Sequence, residues 1–134
     1  MRLLLDTNIF LEVILNQERA DEARRLLIGG KPHDLFVSDF AVHSIGVLLL
    51  RLNRQDALLE FLKDMLVEGP VLMLGLSVED LDVVVKDAHR FSLNFDDAYQ
   101  YVTATKHNLT LVSFDADFDR TERGRQTPQA VLQA

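Results

Sequence analysis

Apolar residues along this chain fall into two spacings, and the two alternate. Met1 to Leu5, with its three leucines, is a short apolar run that stops at Asp6, the pattern of a buried strand of a parallel sheet. Ile9, Phe10, Val13 and Ile14 then recur at helical spacing over residues 8–16. Ala20, Ala23, Leu26 and Leu27 mark one face of a second helix over 18–28, stopped by Gly29-Gly30. Residues 35–37 predict a second strand. Ser38 and Asp39 stand at a helix start, ahead of a stretch over 40–52 that is apolar nearly all round. An amphipathic helix follows with Ala57, Leu58, Phe61, Leu62, Met65 and Leu66 one turn apart, and Gly69-Pro70 closes it. Residues 71–74 predict a third strand. Ser77 opens a capping box with Asp80, before a helix lined by Val78, Leu81, Val84, Val85 and Ala88. Asn94 or Asp96 caps another helix, whose inner face is Ala98, Tyr101, Val102 and Thr105. Residues 109–113 form a fourth strand and 130–132 an edge strand. Strands that alternate with helices imply one α/β domain over 1–134, a three-layer α/β/α arrangement with a central parallel sheet of four to five strands.

Composition narrows the chemistry. The chain has 134 residues and no cysteine, so thiolate and disulfide chemistry are excluded, and a metal site must use oxygen or imidazole nitrogen. That favours Mg2+ or Mn2+ over structural zinc. No apolar run is long enough for a signal peptide or a membrane span, so a cytoplasmic protein with no membrane partner is expected. A net charge of −7 works against generic adhesion to nucleic acid. It is compatible with a nuclease all the same, since carboxylates that hold cations turn an acidic cluster into a phosphate-binding one.

In an open parallel sheet, ligands bind beyond the carboxyl ends of the strands. Asp6 directly follows the first strand, Asp115 closely follows the fourth, and Asp97 lies in the first turn of the helix leading into the fourth. These three carboxylates are expected to converge within a few ångströms of a common point, where mutual repulsion would raise their pKa values without a cation. Each has a blander reading. Asp96 and Asp97 would complement a helix dipole, Asp6 would cap the first helix, and Asp115, Asp117 and Asp119 would form a solvated turn. The last group also mimics half of an EF-hand loop. Arg120 at the glycine position and Gln126 at that of the bidentate Glu exclude it. The bland readings are independent, whereas one metal site accounts for all three placements together.

Leu3-Leu4-Leu5-Asp6-Thr7-Asn8 resembles the opening strand of PIN domains, in which the Asp is the first metal ligand and the adjacent Thr or Asn supports it. Asp97-Ala98, with Ala104 further along the helix, is similar to the family's Asp-Ala helix start. Leu111-Val112-Ser113-Phe114-Asp115-Ala116-Asp117-Phe118 resembles its late strand. The match runs from Met1 to Phe118 in the family's order. One position departs from the pattern. Many members carry a metal-binding Glu six residues after the Ser that follows the second strand, and here Ser38 is followed at that distance by Ser44, preceded by His43. Asp39, or His43 one turn further on, would have to take that part, against an ordinary role in a cap or core. The departure suggests a branch apart from ordinary VapC-type toxins.

The resemblance implies a metal-dependent endoribonuclease that hydrolyses RNA phosphodiester bonds, and with it the toxin of a toxin–antitoxin pair and an antitoxin protein as partner. Asp6, Asp97 and Asp115, with Asp117, would hold Mg2+ or Mn2+, supported by Thr7, Asn8, Ser38, Asp39 and Ser113. Arg120, Arg123 and Arg125 follow the acidic turn closely enough to meet an RNA backbone, or form a solvated surface. The rival reading is a PIN-like module that binds protein or RNA without cutting it, which the missing Glu favours. A receiver or haloacid-dehalogenase-like phosphatase fits poorly, because Asn8 stands where the latter needs a second Asp and no Asp follows the third strand. The apolar surplus over 40–52, with the amphipathic helix after it, predicts a homodimer.

Overall fold

The computed structural model describes residues 1–29 and 33–134, so of the predicted Gly29-Gly30 stop only Gly29 lies among the described residues. One sheet of four parallel strands runs in the order β3-β2-β1-β4. Its strands are β1 (Arg2–Leu5), β2 (Asp34–Ser38), β3 (Val71–Leu74) and β4 (Thr110–Val112). The helices are α1 (Thr7–Ile14), α2 (Ala20–Ile28), α3 (Asp39–Arg51), α4 (Gln55–Phe61), α5 (Asp80–Phe91), α6 (Phe95–Lys106) and α7 (Pro128–Gln133). The apolar face of α4 continues through a π-helical turn, Leu62–Val67, so that Ala57, Phe61, Leu62 and Met65 stay on one core.

The pleat of β1 divides that core into two layers. Leu3 and Leu5 face one way, into a cluster with Ile9, Phe10, Ala23, Ile45, Leu49 and Phe61 from α1 to α4. Leu4 faces the other way, against Val84 of α5, Ala98, Tyr101 and Val102 of α6, and Phe118. All three leucines are fully buried, which is why the opening strand reads as an unbroken apolar run. Helix ends recur in one form. Asn16, Asn53, Ser92 and Asn108 take left-handed backbone just past or at the ends of α1, α3, α5 and α6, a place glycine usually fills.

Three sequence expectations are corrected here. Residues 130–132 form no edge strand: Thr127 caps α7 by accepting from the Ala130 N–H at 3.1 Å, and Pro128 opens that helix. The sheet gains instead a single parallel bridge, Val112 to Gln126. In α5 only Val84 of the expected stripe is buried, and Val78 and Val85 stay 80% and 60% exposed. Val78 precedes the helix, whose first residue is Asp80, and α5 packs chiefly on α6, so its other side faces outward. Thr105 is exposed too, because the buried run of α6 ends at Ala104. Among the described residues, no helix is long and apolar enough to cross a membrane.

Asp115 and Asp117 sit at the start of a 3-10 turn, Ala116–Arg120, anchored by Phe118, which is fully buried beside Leu4 and Val84. Phe118→Ala should therefore cost about 3–5 kcal/mol through lost burial and the cavity left behind. Urea denaturation checks this, and a loss below about 1 kcal/mol would show the turn to be anchored otherwise.

Candidate metal centre

β1 lies between β2 and β4, so the residue that follows it is flanked by the ends of both neighbours. That residue is Asp6, 6% exposed. Its Oδ1 accepts from the Thr7 N–H at 2.8 Å, capping α1 as the simpler reading required, and from Gln100 Nε2 at 3.0 Å. Its Oδ2 accepts from Ser113 Oγ at 2.7 Å. Burial raises the Asp6 pKa, and the donors from Gln100, Ser113 and Thr7 oppose the rise without cancelling it.

The other carboxylates approach from α6 and the 3-10 turn. Asn94, rather than Asp96, caps α6 by accepting from the Asp97 N–H at 2.8 Å, which sets Asp97 in the first turn. Asp97, Asp115 and Asp117 each bring a carboxylate oxygen within 4.8 Å of the others. Asp6, Asp97 and Asp115 line one pocket of about 220 Å3, together with Thr7, Asn8, Phe40, Ser44, Asp96 and Gln100. The Asp97 pKa is pushed up to about 7, first by burial, then by the charges of Asp6 and Asp115, hydrogen bonding to Asp115, and the charge of Asp117. Oxygen donors alone, packed closely enough to hold a proton near neutral pH, form a donor set that suits a hard divalent cation.

The supporting residues form a connected lattice. Ser113 Oγ, while donating to Asp6, accepts from the Asp115 N–H at 2.9 Å and from Asn8 Nδ2 at 3.2 Å. Asn8 Oδ1 accepts in turn from the Phe114 N–H. Ser38 caps α3 and donates to Gln100 Oε1, leaving the Gln100 amide free to donate to Asp6. Gln100 is thus a site residue that the sequence reading passed over. Its signal was a polar side chain among buried neighbours, one turn beyond Asp97, in a helix read only for its apolar face.

Other expected residues lie elsewhere. Asp39 turns from the pocket: its Oδ1 accepts from Tyr99 Oη at 2.8 Å, and Oδ2 sits where a Cβ on Gly75 would come within 2.8 Å. A side chain at Gly75 would displace it. His43 is exposed beside Phe40, whereas Ser44 does line the pocket. Arg120 binds the Phe91 and Ser92 carbonyls and lies 3.5 Å from Asp117. Arg123 holds the Leu109 carbonyl, and Arg125 holds the Ser113 carbonyl and Asp119. Those last two line a separate pocket of about 320 Å3 that contains none of the carboxylates named above.

The model of the PIN domain matches residues 3–124. A search of curated protein sequences gives no match. Among solved structures, a toxin–antitoxin complex from Klebsiella pneumoniae is similar at 22% identity and a TM-score of 0.72, over 94% of this chain and 97% of that one. VapC20 of Mycobacterium tuberculosis, described as a Sarcin-Ricin loop cleaving toxin, gives 19% identity and a TM-score of 0.74 over 87% and 92%. FitAcB from Neisseria gonorrhoeae gives 20% identity and 0.73 over 95% and 98%. At these identities the likeness is one of fold.

A raised carboxylate pKa has a stability consequence of fixed sign. Between the ordinary value of 3.8 and about 7, the folded state keeps a proton on Asp97 that the unfolded chain has lost. Stability of the metal-free protein should therefore fall as pH rises through that window and level off above it. Thermal melts in EDTA from pH 5 to pH 8 check this, and Asp97→Asn should flatten the slope. Buried Asp6 shifts in the same direction, so some slope will remain. Equal slopes in the two proteins would show that Asp97 holds no such proton.

Proposed function

This chain belongs to the PIN domain family, and from that premise we infer that it is an endoribonuclease that uses Mg2+ or Mn2+ to hydrolyse RNA phosphodiester bonds. The observation that carries the reading is the carboxylate cluster: Asp97, Asp115 and Asp117 within 4.8 Å, and buried Asp6 on the wall of the pocket that Asp97 and Asp115 also line. Asp6, Asp97, Asp115 and Asp117 would hold the cation. When bound, it supplies the positive charge that draws a phosphodiester into an acidic pocket and strengthens water as an acid. The protein's own part is placement. Thr7, Gln100 and Ser113 fix both oxygens of Asp6, and Ser113 with Asn8 fixes the start of the turn that carries Asp115. Asp97, whose pKa is raised to about 7 in the metal-free protein, would give up that proton on holding the cation.

The toxin role and an antitoxin partner follow from the same reading, supported by the likeness to toxin–antitoxin structures. A homodimer is supported by the outer side of α3, where Leu50 is 53% exposed although Ile45 and Leu49 are fully buried. The position of Ser44 supports one modification of the nuclease reading. It lines the pocket where the family's usual second acid would stand, so this cluster has one carboxylate fewer and holds its cation more weakly.

Cleavage of a single-stranded RNA is expected with Mg2+ or Mn2+ and should cease in EDTA. Asp6→Asn keeps the shape of the site but removes a charge, and should slow cleavage about a hundredfold, equivalent to a loss of roughly 3 kcal/mol of barrier lowering. Ser44→Glu should tighten Mg2+ binding in calorimetry. Undiminished cleavage in EDTA, or by Asp6→Asn, would overturn the reading.

A further inference from the structure

The carboxylate pocket adjoins a row of aromatic rings that the placement of a cation leaves unexplained. Tyr99 lies innermost, buried, with its hydroxyl donating to Asp39 and accepting from the Leu76 N–H. Phe40, on the pocket wall, stands 5.1 Å from Tyr99, and Phe95 stands 6.0 Å from Phe40. Phe95 ends the row at the surface, 45% exposed, next to Asp96 and Asp97. A phenyl ring left half in water among carboxylates adds little to the core, and the hydrogen-bonded Tyr99 behind it holds the row in place.

Electrostatics says what this surface can accept. No Lys or Arg is among the described residues lining the pocket. Arg120 reaches the cluster's outer member, Asp117, but is tied to the Phe91 and Ser92 carbonyls, and Arg19 lies over the Phe114 ring. Apart from a bound cation, the described lining of the pocket therefore offers a polynucleotide no positive side chain for its backbone, and Asp39, Asp96 and Asp97 beside the rings repel phosphate. The part of a nucleotide that is flat, uncharged and joined to the phosphate at short range is its base. We propose that Phe95, backed by Phe40 and Tyr99, is a stacking platform for an unpaired nucleobase next to the scissile phosphate. The site thereby selects single-stranded over paired RNA, because a base within a duplex has no free face to offer. The proposal rests on the nuclease reading for the nature of its ligand.

The test uses a short single-stranded oligoribonucleotide containing 2-aminopurine, whose fluorescence falls on stacking, with Ca2+ in place of Mg2+. Wild-type protein should quench it, and the same strand in a duplex should not be quenched. Phe95→Leu, which keeps an apolar surface but no ring, should bind about tenfold more weakly or worse and lose the quenching. Phe95→Tyr and Phe95→Trp should restore both. Binding and quenching by Phe95→Leu equal to wild type would overturn the proposal. So would a variant that loses self-association in sedimentation while binding RNA normally, since Phe95 would then serve contact between copies. The two readings fail separately. Phe95-dependent quenching without metal-dependent cleavage removes the nuclease and leaves the platform, and cleavage with an unchanged KM in Phe95→Leu does the reverse.

Discussion

The structure depends on one buried carboxylate. Asp6 lies below the surface, where an ionised group is costly unless donors surround it. The three donors come from three parts of the chain: the first N–H of α1, the Gln100 amide in α6, and the Ser113 hydroxyl just past β4. Moving Ser113 would leave Oδ2 unpaired, and moving Thr7 or Gln100 would take from Oδ1 one of its two donors, so a single side chain ties together β1, α6 and the 3-10 turn. Strand order makes this possible. With β1 between β2 and β4, the capping serine of α3 also enters the network, through Gln100. The polar lattice and the two apolar layers either side of β1 thus specify the same arrangement, which is the consistency expected of a well-determined fold.

What could be read from the sequence divides along physical lines. Short apolar runs announce strands, so β1, β2, β3 and β4 were legible, although β3 at the sheet's edge leaves Leu72 and Met73 exposed. Both β1 and β4 are closely followed by a carboxylate of the pocket. The family pattern was legible because its pieces keep their order, and residues 3–124 match the PIN domain. Periodicity failed where an element lacks a second partner. The stripe of α5 has helical spacing, but only Val84 is buried, with Ala88 packed partly against the same core, and an apolar pattern cannot say which of its members find a neighbour. The last helix failed for the opposite reason: six residues are too few for periodicity, and the informative signal was Thr127-Pro128, a capping pair overlooked beside an apolar triplet. Side-chain partners were the least legible. Asp39 and Gln100 are both polar residues in helices at the pocket's edge, yet one turns to Tyr99 and the other to Asp6. Only tertiary contacts separate them.

Charge explains why Ser44 matters. An acidic pocket with no Lys or Arg among the described residues of its walls attracts an anion by binding a cation first, and its affinity for that cation rises with the number of carboxylates. Each further carboxylate also adds repulsion in the metal-free state, on top of the burial that is the main reason Asp97 retains a proton to about pH 7. A serine at position 44 adds no charge to that repulsion and, on the nuclease reading, none to the holding of the cation. On the nuclease reading the balance has a kinetic meaning: a weakly held cation makes occupancy of the site depend on its concentration and on pH, because the proton on Asp97 and the metal compete for the same oxygens. Binding energy for RNA then has to come from a part of the substrate that carries no charge, and the uncharged surface beside these carboxylates is the aromatic row from Tyr99 to Phe95.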